Sequence, residues 1–502
     1  MLAPQGNPKC LVALFGLLAI LTNFQDSYSN SYANTAYNGF RNFFNDSYIE
    51  RGSPHGLSKW SFTFLWSFFL NIWTFGFLAG TFITPYLTDN YGRKMALILS
   101  AMVSLLGTSL SVIAVLVKSP EFLLVARTIA SSSSGVSFNT LVVFIQEAVP
   151  TNVRGTCSFL IETSFLFINV FGFAFGLDVI LGHYIDLLIG VGLIPGILAL
   201  LIMFPLKETP KFLLIHKNDN KAALEALIFY QGERSNPKKQ LETMLLEAKE
   251  DKIDIPLKKA LIKVIKVGHL RKALLLGILS IQLIIPVWTM LYLSSLLLEA
   301  HFSAKVSQYT SFAYIVLECS AGIVGASIVE NFGRKRMLLT SAVVNTLAIV
   351  AYIAFDRLAF YYGGWFKYGC IGSLFSYGIT YGAALGPISV FISTELTPQK
   401  YRSIIQSTVL AVNTIMQFII TFSVLPLYNL LDIWAFIPLF VIPAIFCISY
   451  IAHAMPETKG REIYEIVAEL RGNDSSTTLS TLSSEAISEQ EEDKKDIADL
   501  KL

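Results

Sequence analysis

The sequence predicts an all-α membrane protein of twelve transmembrane helices arranged as two related six-helix halves, and three observations carry that reading. Of the 502 residues, 53% are hydrophobic and only 15% charged, where a soluble chain carries about a quarter charged. The apolar residues gather into twelve stretches, each near the length of about 20 residues needed to cross a bilayer. Finally, short phrases recur in order. Asp89-Asn90-Tyr91-Gly92-Arg93-Lys94 returns as Glu330-Asn331-Phe332-Gly333-Arg334-Lys335. Glu147, Pro150 and Arg154 return as Glu395, Pro398 and Arg402, and Glu208-Thr209 as Glu457-Thr458. Each offset is about 240 to 250 residues, far longer than solenoid periods and suited to a transporter built from parallel repeats.

Six helices are expected in the first half, near 11–33, 60–86, 95–117, 120–146, 156–179 and 184–205. The apolar run after Lys9 lacks an A-x-A cleavage pattern and is read as the first crossing, not a signal peptide. The second half gives 273–298, 308–330, 337–356, 368–394, 403–427 and 432–453. Ser131 to Ser134 with Gly135 mark one helix as rich in small residues. Gly378, Gly382 and Gly386 fall on one face of another, which suits close packing or a wet cavity. The domain division is therefore 1–205 for the first bundle, 206–272 for a linker, 273–453 for the second bundle and 454–502 for a tail. In the linker, 221–230 and 238–252 show helical periodicity with mixed charge and are expected as short amphipathic helices. From Gly472 onward Ser, Thr and acidic residues dominate, the composition of a disordered segment.

Orientation follows from Lys and Arg. Arg93, Lys94, Arg154, the 206–272 linker, Arg334 to Arg336, Lys400, Arg402, Lys459 and Arg461 fall on one side. The positive-inside rule makes that side cytoplasmic, with both termini, in an integral protein expected at the plasma membrane. Asn45-Asp46-Ser47 then lies in the first extracellular loop as a glycan acceptor, whereas Asn473-Asp474-Ser475 faces the cytoplasm unmodified.

The formal net charge of +2 gives no argument for nucleic-acid binding; the partners expected are the lipid bilayer and a small solute, and the oligomeric state is left open. Cys10, Cys157, Cys319, Cys370 and Cys447 are scattered, suggesting neither a disulfide framework nor a zinc site. The six histidines are isolated, so no metal and no cofactor is expected. P-loop, H-E-x-x-H and G-x-S-x-G patterns are absent, which argues against an enzyme.

Charges at helix ends within a membrane are costly unless paired or wet. Arg93, Glu147, Arg154, Arg334, Glu395 and Arg402 are therefore expected to form ion pairs that hold the halves together when the cavity faces outward and separate when it opens inward. The competing reading is that each simply anchors a helix end; recurrence as a matched set favours a gate.

These residues carry a resemblance. The two Gly-Arg-Lys turns, Glu147 through Gly155, Lys207-Glu208-Thr209-Pro210-Lys211 and Pro456-Glu457-Thr458-Lys459-Gly460-Arg461 resemble the sugar-porter branch of the major facilitator superfamily, from about Leu11 to Arg461. The sequon and long linker are similar to those of animal facilitative hexose transporters, the glucose and fructose carriers. The resemblance implies the twelve-helix major facilitator fold, alternating access and a central sugar site fed mainly by the C-terminal half; the linker helices read from periodicity lie on its cytoplasmic side.

Carried over position by position, the family's helix-seven pattern Gln-Gln-Leu-Ser-Gly-x-Asn meets Ile281 to Val287, keeping Gln282 and losing the other glutamine and the asparagine. The helix-eight asparagine falls at Glu318, the helix-five glutamine at Glu162 and the helix-eleven pair at Asn413 and Gln417. On helix ten Gly386-Pro387 survives while Pro-Trp becomes Ser389-Val390. Gln282, Asn413, Gln417, Glu162 and Glu318 are the expected substrate contacts, and each missing hydroxyl partner weakens or redirects binding by about 1 kcal/mol or more. For Glu162 and Glu318 the alternatives are binding of a cationic solute, a part in proton coupling, or plain pairing with a neighbour or with cytoplasmic water. Gln25, Asp26, Tyr28 and Asn34 are candidates for polar lining or ordinary packing. The expected function is facilitative uptake of a hexose or related sugar. Two alternatives stay open: a proton-coupled carrier of another small polar solute, and a nutrient sensor that binds without transporting.

Overall fold

The computed structural model describes residues 7–52, 56–177, 180–232, positions 237, 240, 241 and 244, and 257–471. Every regular element among them is helical, and twelve spans are long and apolar enough to cross a membrane. In chain order these are α1 (Pro8–Thr35), α2 (Lys59–Tyr91), α3 (Arg93–Leu116), α4 (Pro120–Ala148), α5 (Thr151–Phe175) and α6 (Ile185–Met203). The second half continues with α7 (Gly268–Gln282, then Ile285–Glu299), α8 (Ala304–Phe332), α9 (Arg334–Tyr362), α10 (Phe366–Glu395), α11 (Gln399–Leu431) and α12 (Asp432–Ala454).

Four spans depart from the unbroken helices expected: α6 breaks after Gly190 and restarts at Leu193, α12 begins with a 3-10 turn at Asp432–Ala435 and a π-turn at Ile437–Val441, and α7 and α10 are interrupted beside prolines. In α7 the helix stops after Gln282 and restarts at Ile285 with Pro286 in its first turn. Proline lacks the N–H that would continue the ladder, so it is tolerated at a new helix start and not within one. In α10 a π-turn occupies Tyr381–Leu385 just before Pro387, the same deficit resolved by a wider turn; such turns cluster at functional sites.

Within the first half α1 packs on α5, and α4 on α2 and α3; within the second, α9 and α8 pack on α10. The halves meet along α5 with α8 and along α2 with α11. Because α2 corresponds to α8 and α5 to α11 in a six-helix repeat, the two seams are copies exchanged by one pseudo-twofold axis, the arrangement of parallel repeats. Phe82, Leu201, Ile445 and Phe446 lie exposed on the outer surface, where lipid tails in place of water remove the usual penalty.

Beyond the spans, Tyr37–Glu50 extends from α1 as a helix that carries Asn45, so this residue sits on a helix and not in an irregular loop. Its Oδ1 accepts from the Leu57 amide at 3.1 Å. In the linker, Pro210–Ile215, Asn220–Gln231 and Leu257–Lys266 are helical, the second capped by Asp219 Oδ1 on the Ala222 amide at 2.9 Å. This matches the helix expected at 221–230, whereas most of 238–252 and all of 472–502 lie outside the described residues. Unforeseen is a helix after α12, Ile463–Arg471, which buries Ile463, Ile466, Val467 and Leu470 and packs on the start of α7.

Candidate functional site: two helix-end gates and a central polar layer

Both Gly-Arg-Lys turns lie at one end of the bundle, and their construction explains why three separate phrases repeat. Gly92 and Gly333 adopt φ of +98° and +87°, ending one helix and opening the next. That backbone region favours glycine. The first amides of α3 and α9 are left without intrahelical partners, and the third repeated phrase supplies them. Glu208 Oε1 accepts from the amides of Arg93 and Lys94 at 3.1 Å each. Glu457 Oε1 accepts from Arg334 at 2.8 Å and Lys335 at 3.4 Å. A carboxylate there is also favoured by the positive end of the helix dipole. Burial pushes the Glu208 carboxyl above its ordinary range, opposed by the Thr209 and Lys94 amides and the Arg93 charge.

The buried Arg93 guanidinium then reaches Glu147 at the end of α4, with Nε 3.1 Å from Oε2, and lies over the Phe212 ring at 5.1 Å. Thr209 Oγ1 donates to Glu147 Oε2 at 2.7 Å. In the second half Arg334 Nε stands 3.8 Å from Glu395 Oε2. These two pairs lie within their own halves. The crossing contacts are different ones: Arg402 Nη1 comes within 4.0 Å of Glu147 Oε1, and Arg154 Nη1 within 4.0 Å of Glu462 Oε2, beyond α12. Arg154 also shares a cleft of about 240 Å³ with Arg334, Glu395 and Arg461. Near the same end the Thr88 and Ser403 hydroxyls are 2.8 Å apart between α2 and α11. All six residues singled out as a gate are therefore gathered at one end, where the halves touch.

The central layer is assembled from both halves. Glu162 on α5 is buried and accepts from the Tyr381 hydroxyl, in the π-turn of α10, at 3.0 Å. Glu318 on α8 is buried close enough to interact electrostatically with Glu162 and with Tyr314 and Tyr377. Asp26 on α1 is buried, interacts electrostatically with Glu162 and accepts from Trp73 Nε1 at 2.7 Å. Next to it stands a residue the sequence reading passed over, the buried Arg127, stacked 4.8 Å from the Trp73 ring.

Gln282, Asn413 and Gln417 make no described contact with either glutamate. Gln282 Nε2, at the α7 break, and Asn413 Oδ1 on α11 are buried without a hydrogen-bond partner, whereas Gln417 is half-buried. Buried polar atoms are costly to leave unpaired, so the first two are poised for a polar ligand. Phe165 and Trp288 bridge α5 and α7, ring centroids 6.1 Å apart.

Of the other lining candidates, Tyr28 donates to Leu188 O at 2.8 Å and is structural. Gln25 faces a cavity enclosed by α1, α3, α4 and α6; the Asn34 side chain lies outside what is described. The glycine face of α10 serves close packing: a Cβ on Gly382 would fall 2.0 Å from Glu318 O.

Comparisons with known proteins agree with this architecture. The mouse protein named solute carrier family 2, facilitated glucose transporter member 7, is 24% identical over 88% of this chain and 86% of its own length. Member 5 from Rattus norvegicus is 26% identical over 92% of both. Among solved structures, the major facilitator proton:xylose symporter XylE of E. coli, bound to 6-bromo-6-deoxy-D-glucose, superposes with a TM-score of 0.76 at 16% identity, covering 92% of this chain and 99% of that one. The fold is thus that of the major facilitator superfamily. The model described as sugar (and other) transporter matches residues 10–470, nearly all of both bundles, and the chain belongs to that family.

Proposed function

We propose that this protein is a facilitative transporter of a hexose or related sugar that works by alternating access. The observation carrying this reading is that two repeat-related bundles touch at one end through contacts that rocking can break, chiefly Glu147 with Arg402 and Thr88 with Ser403. A carrier needs a seam of that kind at each end in turn. The names of the relatives, facilitated glucose transporters and a xylose symporter, support a sugar as cargo.

In this reading the Gly-Arg-Lys end faces the cytoplasm with both termini, in the plasma membrane, and the gate comprises Arg93, Glu147, Arg154, Arg334, Glu395 and Arg402. Arg93 and Arg334 hold the glutamates in place within each half, and Arg402 and Arg154 reach across. Gln282, Asn413 and Gln417 contact the sugar from the second half. Glu162 and Glu318 accept hydroxyl hydrogen bonds where the sugar-porter pattern has amides, so the preferred sugar differs from glucose. Asn45 carries the glycan.

The test is exchange of labelled sugar by the purified protein in liposomes, with competition by hexoses, pentoses, polyols and organic cations. Saturable exchange competed by sugars, without accumulation and insensitive to a proton ionophore, is expected. Exchange competed only by cations, or accumulation abolished by the ionophore, would sink the proposal, as would binding with no exchange.

A further inference from the structure

At the end of the bundle opposite the gates, three side chains distant in sequence converge. His301 follows α7, Asp356 lies in the last turns of α9 and Cys370 in the first turns of α10. Their ligand atoms, an imidazole nitrogen, a carboxylate oxygen and a thiol sulfur, all lie within 4.8 Å of one another. His301 Nε2 and Asp356 Oδ1 are already 2.8 Å apart. His301 is partly open to solvent and Cys370 is buried, so an ion would enter past the imidazole.

From this juxtaposition we propose that His301, Asp356 and Cys370 form a binding site for a borderline-soft divalent cation of the zinc class.

Three further observations support the site. The first is ligand chemistry: imidazole and thiolate select zinc-like ions over magnesium or calcium, which demand oxygen. A tetrahedral ion at about 2.0 to 2.3 Å from each ligand needs nitrogen or oxygen to sulfur spacings of about 3.5 Å. From at most 4.8 Å this takes at most about 1.3 Å of closing, while the 2.8 Å His301–Asp356 hydrogen bond opens to about 3.3 Å as both atoms turn to the ion, movements within reach of side-chain rotation. The second is orphaned polarity. Tyr352 is 3% exposed, its hydroxyl has no hydrogen-bond partner, and it interacts electrostatically with both Cys370 and Asp356. A water completing the ion's shell would give that hydroxyl a partner.

The third is charge. Arg357 donates to Asp356 Oδ2 from Nη2 at 2.6 Å and from Nε at 3.0 Å, and its Nη1 lies 2.9 Å from Asp432. Before any ion binds, Asp356 and Asp432 exceed that one positive charge by one, a local bias toward a cation. Arg357 orients Asp356 from the far oxygen and leaves Oδ1 toward the site. Binding releases the thiol proton to solvent.

The experiment uses the full-length protein in detergent with cobalt(II) and zinc(II) as probes. Cobalt is expected to produce a thiolate-to-metal charge-transfer band, and zinc to raise the unfolding midpoint. C370S should abolish the band, and H301A should weaken cobalt affinity at least about tenfold. Absence of the band in the unmodified protein would overturn the proposal. So would a band of undiminished strength in C370S, which would place the metal on another thiol such as the exposed Cys10. Both variants are compared at their metal-free unfolding midpoints. If H301A does not fold, the C370S spectrum alone decides.

Discussion

Replacing Arg402 by glutamine should open the gated end, and the size of the effect follows from one distance. Arg402 Nη1 and Glu147 Oε1 are 4.0 Å apart and both side chains are buried. At an effective dielectric of about 20 the attraction is about 4 kcal/mol. Desolvation of the two groups offsets part of it, leaving a net contribution of about 2 kcal/mol to the closed arrangement, or about 30-fold in the closed-to-open ratio. Glutamine keeps most of the volume and removes the charge, while the Arg93–Glu147 pair within the first half stays intact.

The assay is maleimide labelling of Thr88→Cys, with exposed Cys10 changed to serine and the other four cysteines buried. Thr88 is buried against Ser403 where the halves meet, so a thiol there reacts only when they part. The labelling rate should rise about 30-fold in Arg402→Gln and less in Arg402→Lys, which keeps the charge. An unchanged rate in Arg402→Gln would mean that the crossing pair does not hold this end closed.

Other consequences can be checked independently. Glu457→Gln removes the charged cap from α9 and should cost about 1 to 2 kcal/mol, read as a lower thermal unfolding midpoint; an unaltered midpoint would contradict the capping role. Gly382→Ala forces α8 and α10 apart, because its Cβ would lie 2.0 Å from Glu318 O. Overpacking of that kind costs about 1 to 3 kcal/mol, and sugar exchange at matched protein level should fall at least about tenfold; exchange at the original rate would show that the seam yields. Gln282→Ala and Asn413→Ala should each raise the half-saturating sugar concentration about fivefold, the equivalent of one hydrogen bond of about 1 kcal/mol. Unshifted saturation curves would remove those residues from the sugar site.

The fold was legible in the sequence because a membrane span announces itself by length and apolarity, and because the halves kept their helix-end phrases. The repeated Glu-Thr pairs were visible too, but their purpose was not. Only the folded chain brings Glu208 and Glu457 onto the opening amides of α3 and α9. Matching spacings also could not separate pairing within a half from pairing across it. Arg93 and Glu147 share a half, whereas Arg402 approaches Glu147 from the other.

Arg127 escaped notice because a lone arginine in a serine-rich stretch has no periodic signature; its meaning lies in Trp73 and Asp26 beside it. His301, Asp356 and Cys370 were invisible for the same reason: no local spacing links residues on three separate elements. The helix Ile463–Arg471 was missed because its apolar face is short and becomes meaningful only against α7.

The central claim is that two bundles rock about a shared site, and paired distance measurements test it most directly. Spin labels at Tyr91 and Phe332, exposed at the gated ends of α2 and α8, would report one side, and labels at Val117 and Leu430 the other. In liposomes, sugars that support exchange should shift the two distance distributions in opposite senses, one widening as the other narrows. Two distributions that stay fixed, or that widen together, would contradict the account.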